Sequence, residues 1–154
     1  MQFTIAREQL LKPLQQVCGV LSSRPTLPVI NNILLEVEGN RLFLTATDLE
    51  VELTTEAELL QAVDFAEKFT IPAKKFLDMC RSLPEDSVIS VQFEEDRALI
   101  RAERSKFNLA TLPASDYPSL MDWKPEVDFT IDQATLARLI DSTQFSMANQ
   151  DARY

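Results

Sequence analysis

Apolar residues recur along this chain with two periods, and the two periods alternate. Leu10, Leu11, Leu14 and Val17 follow the spacing i, i+1, i+4, i+7, which is one face of a helix. The segments NNILLEVEG and RLFLTAT alternate apolar and polar residues, the two-residue period of a strand with one face buried. The tripeptide FTI stands at 3–5, 69–71 and 129–131, each time just before a helix-period segment. Laying residue 3 on residue 69 places the four apolar positions on Phe76, Leu77, Cys80 and Leu83. Laying it on residue 129 places them on Leu136, Ala137, Ile140 and Thr143. A matched helix face behind each copy argues for a structural repeat and against chance recurrence of three letters.

The segments after the first two helices repeat as well. NNILLEVEG and RLFLTAT flank Gly39-Asn40, a hairpin signal, and EVELTTEAEL then alternates as a third strand. SVISVQF and RALIRAE flank the acidic turn Glu94-Glu95-Asp96, and SKFNLATL comes next as another strand. Each unit therefore reads strand, helix, strand, strand, strand. Two units make one α+β domain, with two sheets covered on one side by two helices. Pro13 falls inside the first helix and predicts a bend there, because it removes a backbone donor.

TLPASDYPSLMDWKPE, at 111–126, carries three prolines and reads as a linker. The expected organisation is one domain over 1–125, made of units 1–66 and 67–125. Residues 126–154 are expected to be the opening strand and helix of a second domain whose remaining strands are missing. The Leu136, Leu139, Ile140 face would then be uncovered and prone to non-native association.

Composition narrows the chemistry. Hydrophobic residues make up 45% of the chain, enough for a real core, yet no run reaches the roughly 18 apolar residues of a membrane span. The N-terminal MQFTIAREQL lacks a basic-then-apolar signal pattern, which favours a cytoplasmic location. Cys18 and Cys80 lie within amphipathic patterns and read as reduced core residues. There is no histidine, the commonest general base and metal ligand, and two glycines are too few for a phosphate-cradling loop. Asp48, Glu50 and Glu52 alternate as if on one strand face and could hold magnesium for phosphoryl transfer. A solvated strand face is the simpler reading, since no base or nucleophile stands near them. Neither a cofactor nor a metal is expected, and the chain does not read as an enzyme.

The formal charge of −9 argues against a polyanion partner until its distribution is considered. The helix windows hold Arg7, Lys12, Lys74, Lys75, Arg81 and Arg138 against Glu8, Asp78, Asp132 and Asp141, leaving a mild basic excess on a strongly acidic body. Lys12, Lys74 and Arg138 point away from the apolar helix faces and Arg81 lies on a flank. Exposed helix faces often carry lysine and arginine, so the alternative to a polyanion surface is an ordinary solvated face. In RSKFNLATL, Arg101, Arg104 and Lys106 accompany alternating Phe107 and Leu109, which could be core residues or anchors on a sheet edge. Arg24, in a proline-bounded loop after the first helix, and Gln150 and Arg153, after the third, are polar tips at the same end of repeated helices.

The stretches RPTLPVINNILLEVEGNRLFLTATDLEVEL, FTIPAKKFLDMCRSLP, KFNLATLPASDYP and QFSMANQDARY resemble the bacterial sliding clamp family, the β subunit of DNA polymerase III, and the resemblance runs the whole chain from Met1. It implies the DNA clamp fold, with three domains per subunit and two subunits joined head to tail in a ring. Helices would line the hole and sheets form the outside. Double-stranded DNA would thread through while the clamp loader, the replicative polymerase and other clamp-binding proteins attach. By resemblance, Arg24 and Gln150 match loop positions that touch DNA, and Lys12, Lys74, Arg81 and Arg138 match basic positions on or near the hole-lining helices. Lys75, Arg97, Arg104, Lys106, Phe107 and Leu109 match the subunit interface, where the anchors meet apolar residues of the partner's third domain. Arg153 and Tyr154 match the margin of the pocket for clamp-binding peptides. Asn108 and Ser22 stand where the family pattern carries basic residues.

The mechanism so implied is topological. A mildly basic hole holds duplex phosphates weakly without reading sequence, and an acidic exterior discourages binding outside the ring. The competing readings are an acidic interaction module with no DNA role and a magnesium-dependent phosphoryl-transfer enzyme.

Overall fold

The computed structural model describes residues 2–21, 27–94, 96–118 and 126–147. The chain divides into two compact units, Met1–Leu120 and Met121–Tyr154.

The first unit carries two copies of one element series. β1 (Gln2–Ala6) runs into α1 (Arg7–Cys18), followed by β2 (Asn32–Glu38), β3 (Arg41–Thr47) and β4 (Glu52–Glu58). β5 (Ala66–Pro72) runs into α2 (Ala73–Ser82), followed by β6 (Val88–Glu94), β7 (Arg97–Ala102) and β8 (Ser105–Ala110). This is the α+β series read from the sequence. All pairing is antiparallel, in sheets ordered β1-β6-β7-β8 and β4-β3-β2-β5. Each opening strand thus leaves its own unit. Ile5 lies opposite Ile89 on β6, and Ile71 lies opposite Ile33 on β2.

Alternation dictates which side of each strand is buried. Ile33, Leu35 and Val37, then Leu42, Leu44 and Ala46, face the core from one sheet; Ile89, Val91 and Phe93, then Ala98, Ile100 and Ala102, face it from the other. Leu10, Leu14 and Val17 of α1 and Phe76, Leu77 and Cys80 of α2 complete the same cluster. Full burial of each valine, leucine, isoleucine or phenylalanine among them contributes about 1.5–3 kcal/mol, so this cluster dominates stability. Phe93 stacks on Phe69 at 3.8 Å between ring centroids, joining β6 to a strand of the other sheet.

The helices run antiparallel. Arg7 at the start of α1 donates from Nε to the Cys80 carbonyl (3.0 Å), and Cys18 at its end reaches the Ala73 carbonyl (3.9 Å). The two cysteines therefore lie toward opposite ends of the helix pair and both are free. Neither α1 nor α2 has a side-chain N-cap. The first amide of α1 instead donates to the Ser87 carbonyl at 2.9 Å, so tertiary contact satisfies an otherwise orphaned donor. α1 continues through Pro13 without interruption.

Two expectations are corrected. Asp48 and Glu50 do not share a strand face with Glu52: β3 ends at Thr47 and β4 begins at Glu52. Asp48 folds the intervening turn by accepting from the amides of Glu50 (3.0 Å) and Val51 (2.8 Å), and Leu49 takes a positive φ of 80°. In the second unit, FTI at 129–131 forms no strand, although α3 (Gln133–Thr143) comes after it. A strand exists only as a member of a ladder, and no described strand pairs with this segment. α3 is capped by Asp132, which accepts from the Thr135 amide at 3.0 Å. Leu136, Leu139 and Ile140 are all exposed.

Candidate nucleic-acid interface

α1 and α2 bury one face and present the other. Lys12, flanked in sequence by half-buried Leu11 and Pro13, is exposed, as are Lys74, Lys75 and Arg81 on α2. The helical spacing that buries Leu10 and Leu14 turns Lys12 outward, and the same logic separates Lys74 from Phe76 and Leu77.

These cations do not form one cluster. Lys74 and Arg81 line a cleft of about 460 Å³ between the helices, with Cys18, Leu21, Asn31, Leu77 and Asp78. Lys12 lines a separate cleft of about 270 Å³ against β3 and β4, beside Arg41, Glu8, Glu56 and Glu58. Arg81 approaches Asp78 at 3.9 Å, but both are more than half exposed, so water screens the pair and Arg81 keeps most of its charge for an external partner. Asn31 and Arg41 were not singled out from the sequence. Both reach these clefts through contacts between elements far apart in the chain, for which periodicity carries no signal.

Burial holds the Cys18 thiol up, from an ordinary 9.0 to about 11, despite the opposing pull of Arg81. Cys80 is pushed up to about 12 for the same reason. Both are protonated at neutral pH, which leaves them poor nucleophiles there. Among the described residues no group of three or more acidic, cysteine or histidine side chains could hold a metal ion. Backbone amides hold the Asp48 carboxyl below its ordinary range, the Val51 amide most strongly, and this is work internal to the turn.

The second cluster of candidate residues lies at a sheet end. Among the described residues β8 pairs only with β7. Phe107 lies opposite Ile100 and Leu109 opposite Ala98, on the core side but only half-buried. Both pack on the main core without being fully covered by it. Lys106, Asn108 and Ala110 form the outward row, and Arg104 sits in the turn before it. Arg97, on β7, is held by Asp96 (3.0 Å) and Glu94 (3.7 Å). Lys75 belongs to α2 and not to this strand. Arg138 is exposed on α3 in the second unit. Arg24, Gln150, Arg153, Tyr154 and Ser22 lie outside the described residues.

Comparison with known proteins places this arrangement. A family model described as DNA polymerase III beta subunit, N-terminal domain, matches residues 1–121. The beta sliding clamp of Haemophilus influenzae is 63% identical over 154 residues, covering all of this chain and 42% of that protein. The beta sliding clamp of Escherichia coli K12 is 55% identical with the same coverage. Among solved structures, DNA polymerase III subunit beta from Pseudomonas aeruginosa superimposes with a TM-score of 0.93 at 51% identity, covering all of this chain and 42% of that one. The polymerase III beta protein of Caulobacter crescentus gives 0.92 at 38% identity, covering all of this chain and 41% of its own. The chain thus spans about two fifths of the length of these relatives. With the family model covering most of the chain and the solved clamps superimposing across all of it, this chain belongs to the DNA polymerase III beta subunit family.

Proposed function

We propose that this chain supplies a section of a sliding clamp that encircles duplex DNA and confers processivity by tethering the replicative polymerase and other replication factors, without catalysis. The observation that carries this reading is the antiparallel helix pair. One face of it is sunk in the core, and the other presents Lys12, Lys74 and Arg81 to solvent on a chain of net charge −9. Three exposed cations hold phosphates weakly, which suits sliding, and the acidic remainder disfavours DNA elsewhere on the surface.

Under this reading residues 1–125 form the first clamp domain and 126–154 open a second. Arg24, Gln150 and Arg138 join the DNA-facing set. Lys75, Arg97, Arg104, Lys106, Phe107 and Leu109 form one side of a head-to-tail homodimer contact, and Arg153 and Tyr154 border the site for clamp-binding peptides. The clamp loader and polymerase are the protein partners, and the location is cytoplasmic.

The test compares a chain as long as the relatives, with and without Lys12→Glu, Lys74→Glu and Arg81→Glu. The unaltered ring should stay on closed circular DNA and leave once the circle is cut, and the triple variant should load poorly. For direct contact, log affinity against log salt should fall with a slope of about −2.7 for three phosphate contacts and flatten in the variant. Equal retention on linear and circular DNA would overturn encirclement.

A further inference from the structure

A groove of about 310 Å³ lies on the side of the sheet β4-β3-β2-β5 that faces away from the core. Half-buried Leu34 and Thr45, opposite each other on β2 and β3, form its floor. Tyr117 closes one wall. It is buried, its hydroxyl donates to the Thr45 carbonyl at 3.2 Å, and it packs with Val29 and Ile30 in a small apolar cluster that Leu34 joins. The groove is therefore a built feature of the first unit. Glu36, which pairs with Lys68 at 3.0 Å, and Glu52 lie on opposite sides of the Leu34–Thr45 row.

Next to the groove the backbone is strained. Thr47 stands opposite Glu52, so the 48–51 turn leaves the sheet at the Glu52 end. Leu49 sits there at φ 80°, a region that bulky side chains avoid. The turn is over-determined. Besides the two amides held by Asp48, Thr47 Oγ1 donates to the Val51 carbonyl at 2.8 Å and accepts from the Leu49 amide at 3.0 Å. What this scaffold holds out to water is apolar: Leu49 is 38% and Val51 54% exposed. A glycine at 49 would make the same turn without strain. Leucine adds only an apolar side chain, and strain kept for that purpose marks a contact site.

Charge selects the occupant. Glu50 is exposed between the two apolar residues, and its carboxylate has no partner among the described residues. The volume takes a few side chains and not a folded domain. We propose that the groove and the 48–51 turn dock a short extended peptide of a partner protein, with a lysine or arginine between apolar residues. The apolar side chains cover Leu34, Leu49 and Val51, and the cation lies against Glu50 and Glu52. The site belongs wholly to the first unit, whereas Arg153 and Tyr154 fall in the second, and it does not depend on encirclement of DNA.

Fluorescence anisotropy with a labelled peptide holding an arginine between two leucines tests this, against the same peptide with glutamate for arginine. The arginine peptide should bind, and the glutamate peptide about fivefold more weakly. Leu49→Gly should weaken binding about tenfold or more while Tm holds or rises, because one apolar anchor is lost and the strain is relieved. Glu50→Lys should reverse the preference between the peptides. Backbone amide signals of Leu34, Leu49, Val51 and Tyr117 should shift on binding, and those of α3 should not. No binding up to about 1 mM, binding unchanged in Leu49→Gly, or shifts centred on α3 would overturn the proposal. Binding that disappears in a chain as long as the relatives would assign the groove to a segment of this same protein and overturn it as well.

Discussion

The hydroxyl of Thr70 fastens the exit of β8 to the other sheet, and its removal is a sharp test of how the two sheets are held. Oγ1 donates to the Leu112 carbonyl (2.6 Å) and accepts from the Leu112 amide (3.0 Å) and Asn32 Nδ2 (2.9 Å). That is the whole donor and acceptor capacity of a hydroxyl, and the residue is fully buried. Thr70→Val keeps the shape and deletes all three bonds. Asn32 is 4% exposed, so its amide group would be left buried without that partner, at about 1–3 kcal/mol. The two bonds to the Leu112 backbone are only part-buried, so their share is smaller. The expected total is about 2–4 kcal/mol by denaturant titration, or roughly 6–15 °C in Tm for a domain of this size. Adding Asn32→Leu removes the stranded donor and should recover about 1 kcal/mol or more, a coupling that a double-mutant cycle reads directly. Hydrogen exchange at the Leu112 amide should accelerate in Thr70→Val. A loss below about 0.5 kcal/mol, or no recovery in the double variant, would show that the hydroxyl does not hold the sheets.

Other consequences concern the core, the thiols and the hairpin. Phe76→Ala, at a fully buried site between the helix pair and the sheets, should cost about 3–5 kcal/mol in urea unfolding. Cys80 should resist thiol-reactive dyes at neutral pH in the native state and react on unfolding. Burial raises Cys18 from 9.0 to about 11, Cys80 from 9.0 to about 12 and Tyr117 from 10.0 to about 12, so the unfolded chain loses these protons first. Stability should be unaffected by these groups below about pH 9 and decline as pH rises toward 12, as read by denaturant titration across that window. Gly39 sits at φ +58° with open space around it, so Gly39→Ala should cost about 1–2 kcal/mol from backbone strain alone, with no change of strand register by amide exchange.

Element types were legible in the chain because each is set by local spacing. The i, i+1, i+4, i+7 faces of α1 and α2 and the alternation of β2, β3, β6 and β7 state which side of each element must be buried. The offset between the first two FTI copies states that the series occurs twice, and the outward position of Lys12 and Lys74 is a consequence of the same geometry. Asp48 and Glu50 misled because alternation of acids is the same letter pattern in a strand as in a turn. The difference between the two is whether the carboxylate finds the amides of Glu50 and Val51, and those sit where they do only once β3 and β4 pair.

Partnership was decided only in three dimensions. Periodicity names a face and never a neighbour, because backbone hydrogen bonds are the same for every sequence. Nothing in FTIA shows that β1 joins β6, some 85 residues away, while β5 returns to β2. Burial of both helix faces at once selects that exchange, since each sheet then takes its fourth strand from the other half and the two halves share one core. The same rule explains the third FTI. Its letters match the first two, but a strand is a property of a pair, and no described strand lies beside it. Sequence by itself determined the elements, their repeat and their polarity; the tertiary structure decided which strands pair on both sides and which, like β4 and β8, end a sheet, because pairing depends on contacts between residues far apart in the chain.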